Sequence, residues 1–273
     1  MKHFMRKLPA ANVVAAGGTS TFQVPLGPTY RSYELRPTIA GVGATEAQMA
    51  AQISKVRMLI NGIARIDVSA ANLIKDCHNY YGYTIDDGVL PILLSRPYAR
   101  TMVGEENLCI GTANVDTLTI EVDLIVGATI DGLSLQSVYT PESRDLGAMI
   151  QILTNTVTTA AAGQVEVSSL PRSNGHLIAM HFNGAIVTAL DVELDSVNHF
   201  DADLVTLAAV QKRTGRVPQA STNHIEATFL DRFDDVWPLQ NVQDFRVKMT
   251  ASGAGSVEIV TETLFVPIVS KAA

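Results

Sequence analysis

Charge is scarce in this chain. Of 273 residues only 17% are Asp, Glu, Lys or Arg, against 47% hydrophobic, which excludes a disordered polymer and supplies material for packed cores. The basic sign is the rarer one: 20 Lys and Arg against 27 Asp and Glu leave a formal charge of −7. A surface of that sign repels phosphates, so a duplex DNA or RNA binder is excluded. Cysteine is nearly missing. Cys77 and Cys109 cannot make a disulfide framework, and folding in a reducing cytoplasm is the simple reading. Long apolar runs are missing too. The longest uncharged stretch, residues 146–165, carries Gln151, Thr154, Asn155, Thr156, Thr158, Thr159 and Gln164, too polar to span a membrane. The start MKHFMRKLPAANVV lacks a continuous apolar segment, so no secretory signal is expected and the chain is expected to be soluble.

What is present is a repeat. Residues 57–77, RMLINGIARIDVSAANLIKDC, return in pattern at 191–211 as DVELDSVNHFDADLVTLAAVQ, an offset of 191 − 57 = 134. Upstream, residues 15–37 resemble 159–182, each a small-residue turn, a short strand, a Pro-containing corner and another strand. Downstream, LLSRP (93–97) answers FLDRF (229–233), with Arg96 opposite Arg232. The last strand pairs read NLCIGTA then DTLTIEVDLIV, against DFRVKMTAS then SVEIVTETLFV. The largest difference is GVGATEAQMAAQ (41–52), extra in the first copy.

Within each copy the period is two. Leu118, Ile120, Val122 and Leu124 alternate with polar neighbours, as do Phe245, Val247 and Met249, the pattern of a strand with one buried face. The segments after Asp67 and Asp201 break it: there an Asp is expected to cap a helix of two or three turns, with Ile66 or Phe200 as the preceding staple. Each half therefore reads as an antiparallel β-sandwich with one inserted helix, and the chain as all-β with two such units in tandem. The expected boundaries are a basic tail at 1–14, a first unit at 15–128, a linker at 129–146 with turn chemistry throughout, and a second unit at 147–273.

These features resemble the double jelly-roll major capsid proteins of icosahedral viruses with an internal membrane, the corticovirus branch of bacteriophages above all. The resemblance is carried by LPAANVVAAGGTSTFQVPLGPTYRSYELRPTIAGV (8–42), SSLPRSNGHLIAMHF (168–182) and the helix-bearing repeats. It implies two tandem eight-stranded jelly rolls, each with a short inserted helix. It also implies a homotrimer of pseudo-hexagonal outline, because six similar barrels then surround a threefold axis. Such capsomers contact their neighbours, minor vertex and membrane proteins and the viral membrane surface, without touching nucleic acid directly. The protein would be made and assembled in the host cytoplasm and reside in the virion. Lys2, Arg6 and Lys7, which precede the first acidic residue, Glu34, are then the expected membrane-proximal cations. Tyr80, Tyr81 and Tyr83 in HNYYGYTIDDG, and Trp237 in FLDRFDDVWPLQ, are the expected subunit-interface anchors, since buried aromatics dominate interface energetics.

Catalytic chemistry is sought and not found. Jelly rolls also host metal-dependent cupins, but His3, His78, His176, His181, His199 and His224 include no pair one residue apart on a strand. His176 and His181, five apart, point to opposite faces of a strand. No nucleophile elbow occurs, and GGTSTF at 17–22 lacks the phosphate-loop lysine. No catalytic residue, metal ligand or cofactor is assigned, and no enzyme is expected. Asp86-Asp87, Asp191/Glu193/Asp195 and Asp234-Asp235 are oxygen-rich loops that leave room for structural calcium, with its residues unassigned. The competing reading is a two-domain jelly-roll protein that binds or processes carbohydrate. It suits poorly a chain with 6% aromatics and one tryptophan.

Overall fold

The structure, a computed structural model, describes residues 3–96, 106–167, 170, 175–230, 232 and 235–267. It divides into two compact units: Met1–His78, Tyr83–Ile150 and Val266–Ala273 make the first, and Asn79–Gly82 with Gln151–Phe265 the second.

The first unit runs β1 (Phe4–Lys7), β2 (Thr19–Gln23), β3 (Thr29–Ile39), β4 (Val42–Gly43), α1 (Glu46–Gln52), β5 (Ile53–Ile60), β6 (Ile63–Val68), α2 (Ala70–Cys77), β7 (Leu90–Leu93), β8 (Leu118–Leu124) and β9 (Gly132–Thr140). Its sheets are ordered β6-β5-β8-β2 and β1-β9-β3-β7, with the short β4 also on β3. The second runs β10 (Met149–Thr159), β11 (Gly163–Val167), β12 (Gly175–Asn183), β13 (Val187–Leu194), β14 (Val197–Phe200), α3 (Leu204–Arg213), β15 (Thr222–Glu226), β16 (Trp237–Pro238), β17 (Phe245–Ala251) and β18 (Gly255–Phe265). Its sheets are ordered β14-β13-β17-β11 and β10-β18-β12-β15, with β16 also on β12. Setting aside β4 and β16, each unit has, among the described residues, eight strands in the same sheet order, the wrapping of a jelly roll.

The repeat is visible atom by atom. Asn61 and Gly62 turn the β5–β6 hairpin at φ 51° and 76°, and Asp195 and Ser196 turn β13–β14 at φ 47° and 66°. Positive φ at both central residues is what a two-residue hairpin matching strand twist needs, and Asn, Asp and Gly tolerate it best. Each turn is tied down alike. Asn61 Oδ1 accepts from the backbone N–H of Asp116 and Thr117 at 2.9 and 3.0 Å. Asp195 Oδ1 accepts from those of Gln243 and Asp244, both at 2.9 Å.

Alternation sets burial as the sequence requires. In β8, Leu118, Ile120, Val122 and Leu124 are buried and the residues between them half-exposed. Each contributes roughly 1.5–3 kcal/mol relative to exposure. In the second unit, Met180, Phe182, Ile225, Val247, Met249, Val257 and Ile259 belong to one apolar core between the sheets. The extra 41–52 segment holds α1, started by a capping box in which Thr45 and Gln48 bond each other's backbone.

Four expectations are corrected. The basic tail at 1–14 is not a tail: residues 4–7 are β1, paired antiparallel with β9 from Phe4↔Tyr139 to Lys7↔Gln136. The linker at 129–146 contains β9, paired with both β1 and β3. The two segments left outside the first jelly roll are thus its adjoining first and last strands, and the unit is not confined to 15–128. Their polar faces and flanking turn residues hid them. The helix caps lie two residues later than expected, at Ser69 and Asp203, whose side chains accept from Asn72 N–H and from Val205 and Thr206 N–H. Asp67 instead ends a strand and pairs with Lys55 at 2.9 Å. Finally, the last strand pairs shift by one: β8 corresponds to β17 and β9 to β18, while NLCIGTA contributes only an isolated bridge, Tyr30↔Ile110.

Candidate functional site

From Ala179 onward, alternate residues of β12 face away from the sandwich core, and in this strand much of that outer face is buried as well. Met180 and Phe182 join the core, so His181 between them points outward, directly opposite His224 on β15. By the same alternation Glu226 of β15 and Glu262 of β18 share this face. All four are buried. Burying such groups is costly unless each finds a partner, and the partners are supplied locally.

Glu226 accepts from Arg216 Nε at 2.8 Å and from its terminal nitrogen at 2.7 Å, a bidentate ion pair almost without solvent. Tyr80 Oη donates to the same carboxylate at 2.9 Å, and Thr228 Oγ1 at 3.1 Å. The Tyr80 ring stacks on His224 at 4.1 Å, while Tyr81 lies edge-on to Tyr80 and under the Arg216 guanidinium at 5.2 Å. Val217 N–H closes onto Tyr80 O at 2.8 Å.

The histidine tautomers follow from geometry. Gln219 N–H donates to His224 Nε2 at 3.1 Å, so a neutral His224 carries its proton on Nδ1. That proton points at His181 Nδ1, 2.7 Å away. His181 then carries its own on Nε2 and donates to Glu262 Oε1 at 3.1 Å. Gln211 Nε2 donates to His224 O at 2.6 Å and seats the end of α3 against β15. This chain of hydrogen bonds ties β12 to its neighbours β15 and β18.

The residues expected as interface anchors divide. Tyr80 and Tyr81 are buried inside this cluster, which corrects their assignment to a subunit interface. Their hydroxyls sit where Glu226 and Glu262 need donors, and exposing them would break those bonds. Tyr83 and Trp237 are half-buried. Trp237 lies in β16 beside Leu177, its ring 5.1 Å from that of His199. Between α3, β14, β15 and β16 lies an apolar cavity of about 210 Å³.

Of the expected membrane-proximal cations, Lys2 lies outside the described residues. Arg6 is engaged within the first unit, donating to Tyr30 Oη at 3.0 Å and lying 4.7 Å over the Tyr139 ring. Burial raises the Tyr30 phenol above its ordinary value, and Arg6 pulls it partly back. Lys7 is exposed.

The acidic loops are partly occupied by protein. Asp191 and Glu193 flank Lys248 Nζ at 3.7 and 3.3 Å, and Asp87 accepts from Glu46 N–H. Asp234 lies outside the described residues. Arg96 and Arg232, matched by sequence, differ: the first is buried and the second exposed.

The sequence reading missed the His181–His224 pair, which lies on neighbouring strands 43 residues apart. A register shift between Leu177 and Ala179 puts Leu177, Met180 and Phe182 all on the core side, so His176 and His181 share the outer face, which corrects the expectation from even alternation that they point to opposite faces.

Two eight-stranded jelly rolls of like strand order in one chain define the double jelly-roll class of viral capsid proteins. Residues 5–140 match the family described as viral coat protein P2 N-terminal domain, and 149–267 that described as viral coat protein P2 C-terminal domain. The chain belongs to the viral coat protein P2 family. It is 24% identical over 275 residues to the major capsid protein P2 of Pseudoalteromonas phage PM2, covering 96% of each. The crystal structure of the bacteriophage PM2 protein superimposes with a TM-score of 0.88 at 21% identity, covering 100% of both chains. A chain of the atomic structure of Sulfolobus turreted icosahedral virus gives 0.70 at 11% identity, covering 98% of this chain and 92% of that one. The match boundaries at 140 and 149 coincide with the end of β9 and the start of β10.

Proposed function

We propose that this coat protein is the major subunit of an icosahedral shell and assembles as a homotrimer of pseudo-hexagonal outline over an internal membrane. The observation that carries the reading is the duplication itself: equal strand orders, and equivalent turns and helices 134 residues apart, from Asn61 to Asp195 and from Ser69 to Asp203. A trimer of single barrels presents three like edges, whereas a trimer of doubled barrels presents six, which suits a hexagonal lattice with closed threefold contacts. Such capsomers meet one another, minor vertex and membrane proteins, and the membrane surface; assembly takes place in the host cytoplasm. Lys7, exposed on β1, supplies positive charge for an anionic lipid surface, with Lys2 beside it in sequence. Tyr83 and Trp237 remain the aromatic candidates for subunit contacts. The protein performs no catalysis in this role.

Light scattering on purified protein tests the trimer. A mass near 3 × 29.3 kDa, about 88 kDa, supports it. A monomer that binds oligosaccharides overturns it.

A further inference from the structure

We propose that the second unit binds a small uncharged apolar molecule, about the size of one substituted six-membered ring, in the cavity beneath α3. The cavity measures about 210 Å³, and its walls are Phe200, Leu207, Val210, Ile225, Phe229 and Trp237. An engineered cavity of about 150 Å³ with comparable lining takes up benzene, so the size admits a ring carrying one or two further carbons.

The polar groups at the wall explain why the guest is apolar and neutral. Glu226 contributes, but its two oxygens accept from Arg216, Tyr80 and Thr228. Gln211 Nε2 is held by His224 O, and Thr206 Oγ1 by Asp203 Oδ2. Water beside these three groups gains few hydrogen bonds, because it needs two to four polar partners and theirs are already engaged, while His199 on the same wall is itself exposed to solvent. A cation would meet the Arg216 guanidinium across Glu226, and an anion would meet Glu226 itself. An apolar guest displaces weakly held water and covers aromatic and aliphatic carbon, the contact that drives such binding. Ala202, just before the Asp203 cap of α3, lines the cavity and is exposed, as are His199 and Thr206, so the cavity meets solvent along this edge and a guest enters without unfolding the helix. The inference is independent of shell assembly.

Trp237 is the chain's single tryptophan and forms part of the wall, so its emission reports occupancy without labelling. Full-length protein titrated with toluene should show a saturable shift of that emission with one equivalent bound. Val210→Phe fills the cavity from α3 and should remove the saturable component. Ala202→Phe closes the mouth from an exposed position and should do the same while leaving the thermal transition unchanged. Because Ala202 is not packed, that variant decides the matter even where Val210→Phe fails to fold. A shift that rises without saturating, or one that saturates equally in a folded variant, overturns the proposal.

Discussion

Replacing Glu226 with Gln keeps the side chain's shape and removes its charge. In the folded protein that carboxylate faces the Arg216 guanidinium through two bonds of 2.8 and 2.7 Å, with 4% and 0% of the two side chains exposed. The variant leaves a buried guanidinium without its carboxylate, and breaking one side of such a pair costs about 3–5 kcal/mol. One amide oxygen can still accept from Tyr80, so the loss of that hydroxyl bond adds little. Against a total stability of about 5–15 kcal/mol the change is large, and at about 2–4 °C per kcal/mol the melting temperature should fall by about 6–20 °C. Circular dichroism melting and urea titration read it. A second variant sharpens the argument: Arg216→Met in the Glu226→Gln background removes the stranded charge and should recover about 2 kcal/mol or more, a coupling that measures the pair itself. A Glu226→Gln loss below about 1 kcal/mol, the size seen for exposed pairs, would refute the reasoning, because Arg216 would then have to reach water.

Other consequences are open to direct measurement. Ser196 holds φ 66° where the first unit has Gly62, so Ser196→Gly should stabilise by roughly 0.5–1 kcal/mol in urea titration, whereas Gly62→Ser should destabilise. Asn61→Ala strips two backbone N–H groups of their acceptor and should cost about 1–2 kcal/mol by the same titration. His78 is buried, its Nε2 donates to Pro91 O at 2.9 Å, and burial foremost holds its pKa down at about 4 from 6.5. The unfolded chain therefore takes up a proton that the fold refuses: stability is fully present above pH 6.5 and is lost progressively towards pH 4, by roughly 3 kcal/mol. His78→Gln, which keeps an N–H for Pro91, should flatten that part of the stability–pH curve measured by urea titration. Burial, helped by Asp76, pushes the Cys77 thiol up to about 12, and Cys109 is buried too. Ellman's reagent should therefore find no reactive thiol in the native protein at pH 8 and two after denaturation.

The duplication was legible because strand alternation and hairpin turns are local: Asn61-Gly62 and Asp195-Ser196 announce themselves within a few residues. The displaced caps show the limit of local reading. Asp67 and Ser69 are both good capping types, and it is the ladder with β5, Arg57↔Asp67 and Val56↔Val68, that keeps the strand running past Asp67. β1 and β9 were missed for a related reason. FMRK is short and basic, and GLSLQSVYT carries serine and glutamine on one face, so each looks like a strand only once the other lies beside it. The tyrosines were misjudged because a tyrosine's place depends on where its hydroxyl finds an acceptor. Tyr80 finds Glu226 at a separation of 146 residues and Tyr81 finds Glu262 at 181, distances over which no pattern in the sequence operates.

The four residues Asn79–Gly82 also bear on how such a gene can be rearranged. Cutting at the seam between β9 and β10 yields a downstream cassette with every strand of the second barrel and neither of these phenols. Grafting that cassette behind a foreign upstream half would seat Glu226 and Glu262 against whatever side chains the donor carries there. Shuffling barrels between relatives therefore requires moving this short loop together with the later half.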